Sequence, residues 1–406
     1  MPEAVIVSAA RSPIGRAFKG SLKDVRPDDL TAQIIATALA KVPQLDPRDI
    51  DDLMLGCGLP GGEQGHNLAR IVAVQMGMDF LPGATITRYC SSSLQTTRMA
   101  LHAIKAGEGD VFISAGVETV SRSIHGTSDG MPGTTNPLFA DALARTARRA
   151  EEGGGEWHDP REDGLLPDAY IAMGQTAENL AALKGVTRAD QDEFGVRSQN
   201  LAEAAIKAGF WQREITPVTT PDGTVVSADD GPRAGVTLEA VSGLKPVFRP
   251  DGTVTAGNCC PLNDGAAALV IMSDTKAREL GITPLARVVS TGVSGLSPEI
   301  MGYGPVEASR QALKRAGLTI GDIDLVEINE AFAAQVIPSY RDLGIDLDKL
   351  NVNGGAIAVG HPFGMTGARL TTTLINSLQW HDKQFALETM CVGGGQGMAM
   401  VLERLS

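Results

Sequence analysis

Aromatic residues make up only 4% of this chain of 406 residues, so its packing must rely on alanine, valine, leucine and isoleucine. No apolar run reaches the ~18 residues that a transmembrane helix needs. The N-terminal run AVIVSAA is shorter, and no basic segment precedes it, so it does not fit a signal peptide. It is typical of a buried strand followed by a turn. We therefore expect no membrane insertion.

Positive charge is also in short supply, with 35 lysines and arginines against 48 acidic residues and a formal net charge of −13. A nucleic-acid-binding protein needs a basic face, so we expect no nucleic acid partner. A local cluster of Arg145, Arg148 and Arg149 fits either a patch for a phosphorylated ligand or a solvated helix face.

Cysteine is scarce and odd in number, with five residues and no C-x-x-C pair. This usage indicates reduced thiols and a cytoplasmic protein. A metal site built from Cys57, His66, Cys259 and Cys260 is an alternative, although adjacent cysteines do not give an ordinary zinc spacing.

Glycine, in contrast, is abundant at 47 of 406 residues, roughly 12% against a usual ~7%. This excess predicts many tight turns and close backbone approaches. With 43% apolar and 20% charged residues the chain is globular, and its length favours two or three domains.

The two ends of the chain resemble each other. A helix pattern, a turn and a strand pattern follow one another over 28–58, and the same order returns over 304–332. AVIVSAARSPIG is echoed by ARVVSTGVSGL, and DVFISAGVE by FALETMCVGGG. The copies are roughly 275 residues apart, as in a duplicated unit. Short strands alternating with helices predict an α/β fold with sheets covered by helices.

A different region separates the copies. It is rich in glycine, proline and charge, and only two stretches in it, 173–185 and 188–209, are convincing helices. Because it carries its own amphipathic helices, we interpret it as an inserted domain and not as a linker. The predicted domains are a first half, 1–121 with 253–276, an insertion, 122–252, and a second half, 277–406.

Chemistry-bearing residues occur in four short motifs: Cys90 in CSSSLQ, Asn329 and Glu330 in EINEAF, His361 in GHPFGMTGAR, and Cys391 in CVGGGQG. Each has a structural alternative. Cys90 could be a packed residue, His361 could be structural, the glycines could mark only a turn, and Asn329 could cap a helix that starts at Glu330. All four motifs follow predicted strands, where open α/β sheets bind ligands, so we expect one site at the interface of the halves.

In this order the motifs resemble the thiolases, a family that includes the acetyl-CoA acetyltransferases and the 3-ketoacyl-CoA thiolases. The likeness extends to ARSPIG near the start, MGQTAENLA in the insertion and GTVTAGNCCPLNDGAAA at 252–268. It implies the thiolase fold, in which two duplicated βαβαβ-type halves form a five-layered α-β-α-β-α core with an inserted loop domain.

The resemblance also implies roles. Cys90 would be the nucleophile that carries the acyl group, and His361 the base that activates it; a helix N-terminus and the imidazole would favour the thiolate. Cys391 would be the second acid and base, for which an ordinary thiol pKa of ~8.5 is suitable. One oxyanion site would use His361 and a water held by Asn329, the other the backbone N–H groups of Cys90 and Gly393. No metal and no redox cofactor are expected.

Coenzyme A and acyl-CoA are the implied substrates, and the insertion would bind the coenzyme. The implied contacts are Met173, Leu244, Phe248, Cys260, Ala331 and Phe332. Cys260 stands where a serine is usual, and a thiol is the poorer hydrogen-bond donor. Ser91 after the nucleophile and Ala172 in YIAMG both favour the degradative enzymes over the short-chain biosynthetic ones.

The implied reaction is the reversible CoA-dependent cleavage of 3-ketoacyl-CoA to acetyl-CoA and a shortened acyl-CoA, or Claisen condensation in reverse, as in fatty-acid β-oxidation. The implied assembly is a homodimer or homotetramer, with DGMPGTTNPLF at 129–139 as a candidate tetramerisation loop. Two rival functions remain, a synthase-type condensing enzyme and a non-catalytic acyl-CoA carrier. The first would lack the second thiol, and the second would lose part of the cysteine and histidine set; this chain retains all of them.

Overall fold

The structure is a computed structural model that describes residues 2–126 and 133–406. The first part of the chain alternates strands and helices, as the sequence predicts. Its elements are β1 (Ala4–Arg11), β2 (Gly15–Arg16), α1 (Pro27–Ala40), β3 (Asp52–Cys57), α2 (Leu68–Gln75), β4 (Gly83–Ile86), α3 (Ser92–Ala106) and β5 (Val111–Thr119). The N-terminal run is the buried strand β1, and every residue of β5 is buried as well.

The middle of the chain is mostly helical. Its elements are α4 (Ala140–Glu152), α5 (Met173–Lys184), α6 (Arg188–Ala208), α7 (Phe210–Glu214), β6 (Val218–Thr219), β7 (Val225–Val226) and α8 (Leu238–Ser242). The two predicted helices are α5 and α6, but the expectation that only these two exist is wrong. Helix α4 has thirteen residues, of which only Ala142 is buried. Its apolar residues Ala140, Leu143, Ala144 and Ala147 do recur at helical spacing, so the pattern is present in the sequence and the expectation missed it.

The chain then returns to the first half with β8 (Asn263–Ser273) and α9 (Asp274–Glu279). The second half repeats the alternation of strands and helices. Its elements are β9 (Ala286–Gly295), α10 (Gly304–Ala316), β10 (Leu325–Ile328), α11 (Ala333–Leu343), α12 (Ala356–Val359), α13 (Thr366–Trp380), β11 (Phe385–Val392) and β12 (Gln396–Arg404).

The strands of both halves join in one sheet with the order β10-β11-β12-β9-β1-β8-β5-β3-β4, and β2 pairs with β8. Strands β3, β4 and β5 are parallel to one another, as are β10 and β11. The halves meet where β1 pairs with β9 over two residue pairs, Val5 with Arg287 and Ile6 with Ala286.

Helices cover the sheet in three layers. Helices α1 and α2 pack on the first half, and α10 and α11 pack on the second. Helices α3 and α13 form the central layer, where their apolar residues share one cluster with residues of β1, β8, β11 and β12. Because the two halves of the sheet, joined where β1 pairs with β9, both pack on this central layer, they form the two β layers of the five-layered α-β-α-β-α arrangement that the resemblance implies. Strands covered on both faces in this way are mainly apolar, which agrees with the buried runs of β5 and β8.

The two central helices touch through small residues. A side chain at Gly367 would collide with the backbone nitrogen of Leu94, so glycine permits α13 to lie directly against α3. The Ser93 hydroxyl accepts a 2.9 Å hydrogen bond from the backbone N–H of Ala368, which ties the first turns of the two helices together. The loops that precede these turns carry Cys90 and His361. No helix in the described ranges is long and apolar enough to cross a membrane.

Candidate active site

Cys90 lies in a 3₁₀ turn, Tyr89–Ser91, which leads directly into α3. The serines that follow the thiol hold this turn in shape. The Ser92 hydroxyl accepts from the backbone N–H of Arg88 at 2.9 Å and donates to the Tyr89 carbonyl at 2.7 Å. Tyr89 itself has a positive φ of 42°. The run of hydroxyls therefore fixes the backbone on which the thiol stands.

The thiol of Cys90 is buried, and this decides its ionisation. Burial raises the pKa of Cys90 to about 12, although the backbone N–H groups of Gly393 and of Cys90 itself bond to the sulfur and act in the opposite direction. The expectation that the free protein favours the thiolate is therefore wrong, because desolvation outweighs the helix N-terminus. The same contacts place the two N–H groups of the implied oxyanion site against the sulfur.

The ring of His361 is held at both nitrogens. Its Nδ1 lies 2.6 Å from the Thr366 hydroxyl, and its Nε2 lies 3.2 Å from the amide nitrogen of Asn329. The backbone N–H of His361 donates to the Asn263 side chain at 2.9 Å. Burial, with a smaller effect from Arg369, lowers the pKa of His361 to about 3, so the imidazole is neutral.

Asn329 comes directly after β10, and its backbone N–H donates to the Thr389 carbonyl at 3.0 Å. The alternative that it caps a helix starting at Glu330 is wrong, because α11 starts at Ala333 with Phe332 in the capping position. The Asn329 amide is instead turned to His361.

Cys391 is the penultimate residue of β11 and pairs with Gly397 of β12. Burial raises its pKa well above the ordinary thiol value, and the neighbouring sulfur of Cys90 adds to the effect. The expectation of an unperturbed thiol is therefore wrong. The coupling also means that the two thiols, one from each half, face the same space.

The glycines after Cys391 have two different tasks. Gly394 and Gly395 have φ values of 76° and 80°, which the turn between β11 and β12 requires and which side chains disfavour. Gly393 packs against Tyr89, with an added Cβ only 3.2 Å from the tyrosine ring. Its N–H therefore reaches Cys90 without a side chain in between.

Glu118 is a site residue that the sequence does not reveal. Its buried carboxylate accepts from the backbone N–H groups of Gly58 at 2.8 Å, Leu59 at 3.2 Å and Gly364 at 2.9 Å, and from the Gln64 amide at 2.8 Å. It thereby joins the loop after β3 to the loop that carries His361. The available signal was a single acid at the end of the otherwise apolar run DVFISAGVE.

Glu330, named in the motif without a role, is a second buried carboxylate. It accepts from the Ser198 hydroxyl at 2.6 Å, the Asn351 amide at 2.8 Å and the backbone N–H of Ile357 at 3.1 Å. Ser198 belongs to α6, so this residue fastens the inserted region beside Asn329.

A cavity of about 620 Å³ is lined in part by Cys259 and Cys260. Leu244 and Cys260 line it, and the pKa of Cys260 responds to the neighbouring sulfurs of Cys90 and Cys391. Its charged lining residues are Arg16, Lys19 and Arg233, with no carboxylate among the described residues that line it. The cavity is therefore suited to a ligand with negative charge at one end and a reactive group at the thiols.

The other four implied contacts pack together beside this cavity instead of lining it. They are Met173, Phe248, Ala331 and Phe332. The rings of Phe248 and Phe332 meet edge to face with centroids 6.1 Å apart. The Ala331 carbonyl accepts from the backbone N–H of Cys260 at 3.1 Å.

The structure does not support a metal site built from Cys57, His66, Cys259 and Cys260. Nowhere in residues 2–126 and 133–406 do three or more histidine, cysteine or acidic side chains form a group that could hold a metal ion. All five cysteines are free thiols, and the sulfur of Cys57 lies 3.9 Å from the carboxylate of Glu118.

Comparison with known proteins decides the family. The family model of the thiolase N-terminal domain matches residues 4–275, and that of the thiolase C-terminal domain matches residues 282–404. The chain belongs to the thiolase family. This thiolase is 43% identical to the 3-ketoacyl-CoA thiolase of Bacillus subtilis (strain 168), with 99% of this chain and all of that protein covered. It is also 43% identical to the acetyl-CoA acetyltransferase of Escherichia coli (strain K12) over the full length of both.

The fold comparison agrees. The crystal structure of the Bacillus anthracis acetyl-CoA acetyltransferase superimposes with a TM-score of 0.87 at 40% identity, covering 100% of this chain and 99% of that one. This thiolase is accordingly an acyltransferase that acts on acyl-CoA. Both rival functions, the synthase and the carrier, are set aside.

Proposed function

We propose that this thiolase cleaves 3-ketoacyl-CoA with coenzyme A, reversibly, through an acyl group carried on Cys90. The observation that supports this most directly is that the buried sulfurs of Cys90 and Cys391 neighbour each other and Cys260, which lines the cationic cavity. Burial raises the pKa values of Cys90 and Cys391 and lowers that of His361. All three groups are therefore neutral before substrate binds, as the proposed reaction needs.

In the first half-reaction Cys90 attacks the keto carbon while its proton passes to Nε2 of His361. The negative oxygen that forms is stabilised by the backbone N–H groups of Cys90 and Gly393. The carbon–carbon bond then breaks, its electron pair goes to the departing acetyl-CoA enolate, and Cys391 protonates that carbon. Cys90 is left as a thioester, Cys391 as a thiolate and His361 as an imidazolium. The His361 ring and a water on Asn329 would hold the enolate oxygen.

In the second half-reaction the thiolate of Cys391 takes the proton of coenzyme A. The coenzyme sulfur attacks the acyl carbonyl and expels Cys90, which regains its proton from His361. The sequence of steps is redox-neutral, so we propose that it proceeds without a metal or a redox cofactor.

The cavity supplies a place for the coenzyme. Arg16, Lys19 and Arg233 are positioned for phosphate groups, and Leu244 and Cys260 for the pantetheine arm. The packed cluster of Met173, Phe248, Ala331 and Phe332 would form the wall behind that arm.

Several further proposals rest on the family likeness. We place the enzyme in fatty-acid β-oxidation, in the cytoplasm, as a homodimer or homotetramer. The proposed tetramerisation segment at 129–139 lies partly outside the described residues. Its described part, after residue 132, includes a short 3₁₀ turn at Pro137–Phe139 with exposed Leu138.

The test is acyl labelling of two variants. Wild type incubated with radiolabelled acetyl-CoA should carry the acetyl group on the Cys90 peptide, with the peptides of Cys57, Cys259 and Cys260 as internal controls. Cys90→Ser should lose both label and cleavage of acetoacetyl-CoA, because a hydroxyl is far harder to ionise. Cys391→Ala should still be labelled at Cys90 but should neither cleave acetoacetyl-CoA nor exchange the methyl protons of acetyl-CoA with deuterated water. Label found only on Cys259 or Cys260, or normal cleavage by Cys391→Ala, would overturn the mechanism.

A further inference from the structure

The ring of His361 contacts a hydroxyl that the mechanism above does not use. Thr366 is the first residue of α13 and is completely buried. Its Oγ1 donates to the Pro362 carbonyl, four residues back, at 2.7 Å, and the same oxygen lies 2.6 Å from Nδ1 of His361. The hydroxyl therefore connects the backbone of the GHPFGMTGAR loop to the imidazole.

A hydroxyl has one proton to donate. With that proton directed to the Pro362 carbonyl, the oxygen can only accept at Nδ1, so Nδ1 must carry the ring proton. A neutral imidazole has one ring proton, so Nε2 is then unprotonated and its lone pair can accept a hydrogen bond or a proton. The contact at the other end of the ring agrees, because the Asn329 amide nitrogen, a donor, lies 3.2 Å from Nε2.

We propose that Thr366 is a positioning residue that fixes His361 as the Nδ1–H tautomer, so that Nε2 can take the proton of Cys90. The inference rests on the proposed role of His361 as the base. If the hydroxyl instead turned to donate to Nδ1, the proton would sit on Nε2 and the ring could not accept from the thiol. The burial of Thr366 and His361, both at most 1% exposed, keeps bulk water from substituting for the contact.

The chain offers matched variants. Thr366→Val keeps the shape of the side chain and removes the hydroxyl, and Thr366→Ser keeps the hydroxyl. Thr372→Val is the control, since Thr372 lies in the same helix, is equally buried, and bonds the carbonyl four residues back, that of Ala368, at 2.7 Å. Thr372→Val removes the same kind of helix hydrogen bond without touching His361.

The first measurement is the nitrogen-15 NMR spectrum of histidine-labelled protein, with the His361 signals assigned from their loss in His361→Gln. Wild type, Thr366→Ser and Thr372→Val should show protonated Nδ1 and bare Nε2, and Thr366→Val should show a mixture of tautomers. Observation of protonated Nε2 in wild type would overturn the proposal, whether or not Thr366→Val folds.

The second measurement is single-turnover acetylation of Cys90. A general base contributes roughly 10²–10⁴-fold, so partial loss of the reactive tautomer should slow acetylation by Thr366→Val about 10- to 100-fold with the affinity for acetyl-CoA unchanged. Thr366→Ser should restore most of the rate. Acetylation of Thr366→Val at the wild-type rate would refute the role of Thr366. By contrast, wild-type acetylation by His361→Gln would refute the proposed base and leave the tautomer result standing.

Discussion

Glu118→Gln tests whether the buried carboxylate of Glu118 holds the loop after β3 against the loop that carries His361. One carboxylate oxygen accepts from the N–H groups of Gly58 and Gly364, and the other from the N–H of Leu59 and the Gln64 amide. Burial raises the pKa of Glu118, while these donors favour its ionised form. Because every partner at both oxygens is a donor, we expect the folded protein to hold a carboxylate.

Glutamine has the same shape but replaces one oxygen with an NH₂ group. Whichever way the amide is oriented, two buried N–H donors then face another donor. A buried donor left without a partner costs about 1–3 kcal/mol, so the free energy of unfolding should fall by roughly 2–6 kcal/mol. This is a large share of the ~5–15 kcal/mol that stabilises a typical protein. The affected loops flank Cys90 and His361, so kcat should fall as well.

The assay is urea unfolding followed by circular dichroism, beside steady-state cleavage of acetoacetyl-CoA. Glu239→Gln is the matched control, because it removes the same charge from the exposed helix α8 and should change the free energy of unfolding by less than about 0.5 kcal/mol. If Glu118→Gln unfolds at the wild-type urea concentration and retains its kcat, Glu118 is protonated in the folded protein and the four-donor argument fails.

Two further predictions concern Asn329 and Cys90. Asn329→Ala should lower kcat on the order of 10²-fold or more with little change in KM, as loss of an oxyanion donor does, whereas a raised KM with intact kcat in steady-state assays would assign the residue to binding. Because burial raises the pKa of Cys90 to about 12, the thiol is neutral throughout the range below that value. Alkylation of Cys90 by iodoacetamide in the absence of substrate should thus accelerate about tenfold per pH unit from about pH 7 to 10. A plateau near the ordinary thiol pKa, seen in rates measured by peptide mass spectrometry, would contradict the burial argument.

The parts of the fold that the sequence predicts are those set by local pattern. Strands β1, β5 and β11 are apolar because both of their faces are covered, and the repeat of helix, turn and strand is visible in both halves. Helix α4 was missed although small apolar residues recur in it at helical spacing, because they stand in a segment otherwise dominated by charge. The start of α11 is missed by three residues, because Phe332 is extended and the backbone of 331–333 bonds to that of 258–260.

In the site, too, local sequence pattern predicts some features and tertiary packing decides the others. The motifs predict one shared site, and the structure brings the Asn329 amide against the His361 ring and the sulfur of Cys391 beside that of Cys90. Ionisation could not be predicted, since desolvation depends on which distant segments cover a group: the sequence favours a thiolate at Cys90 and the folded protein disfavours it. Partners far apart in the chain, such as Glu118 and Gly364, were invisible for the same reason.

The junction between the halves has a consequence for how this chain could be divided. The backbone seam is only two residue pairs wide, Val5 with Arg287 and Ile6 with Ala286, whereas α3 and α13 lie against each other as one apolar layer. A break in the segment between β8 and β9 would leave each separated fragment with a bare hydrophobic face, with Cys90 on one fragment and Asn329, His361 and Cys391 on the other. Such fragments would behave as the subunits of an obligate heterodimer, insoluble apart and active only on reassembly.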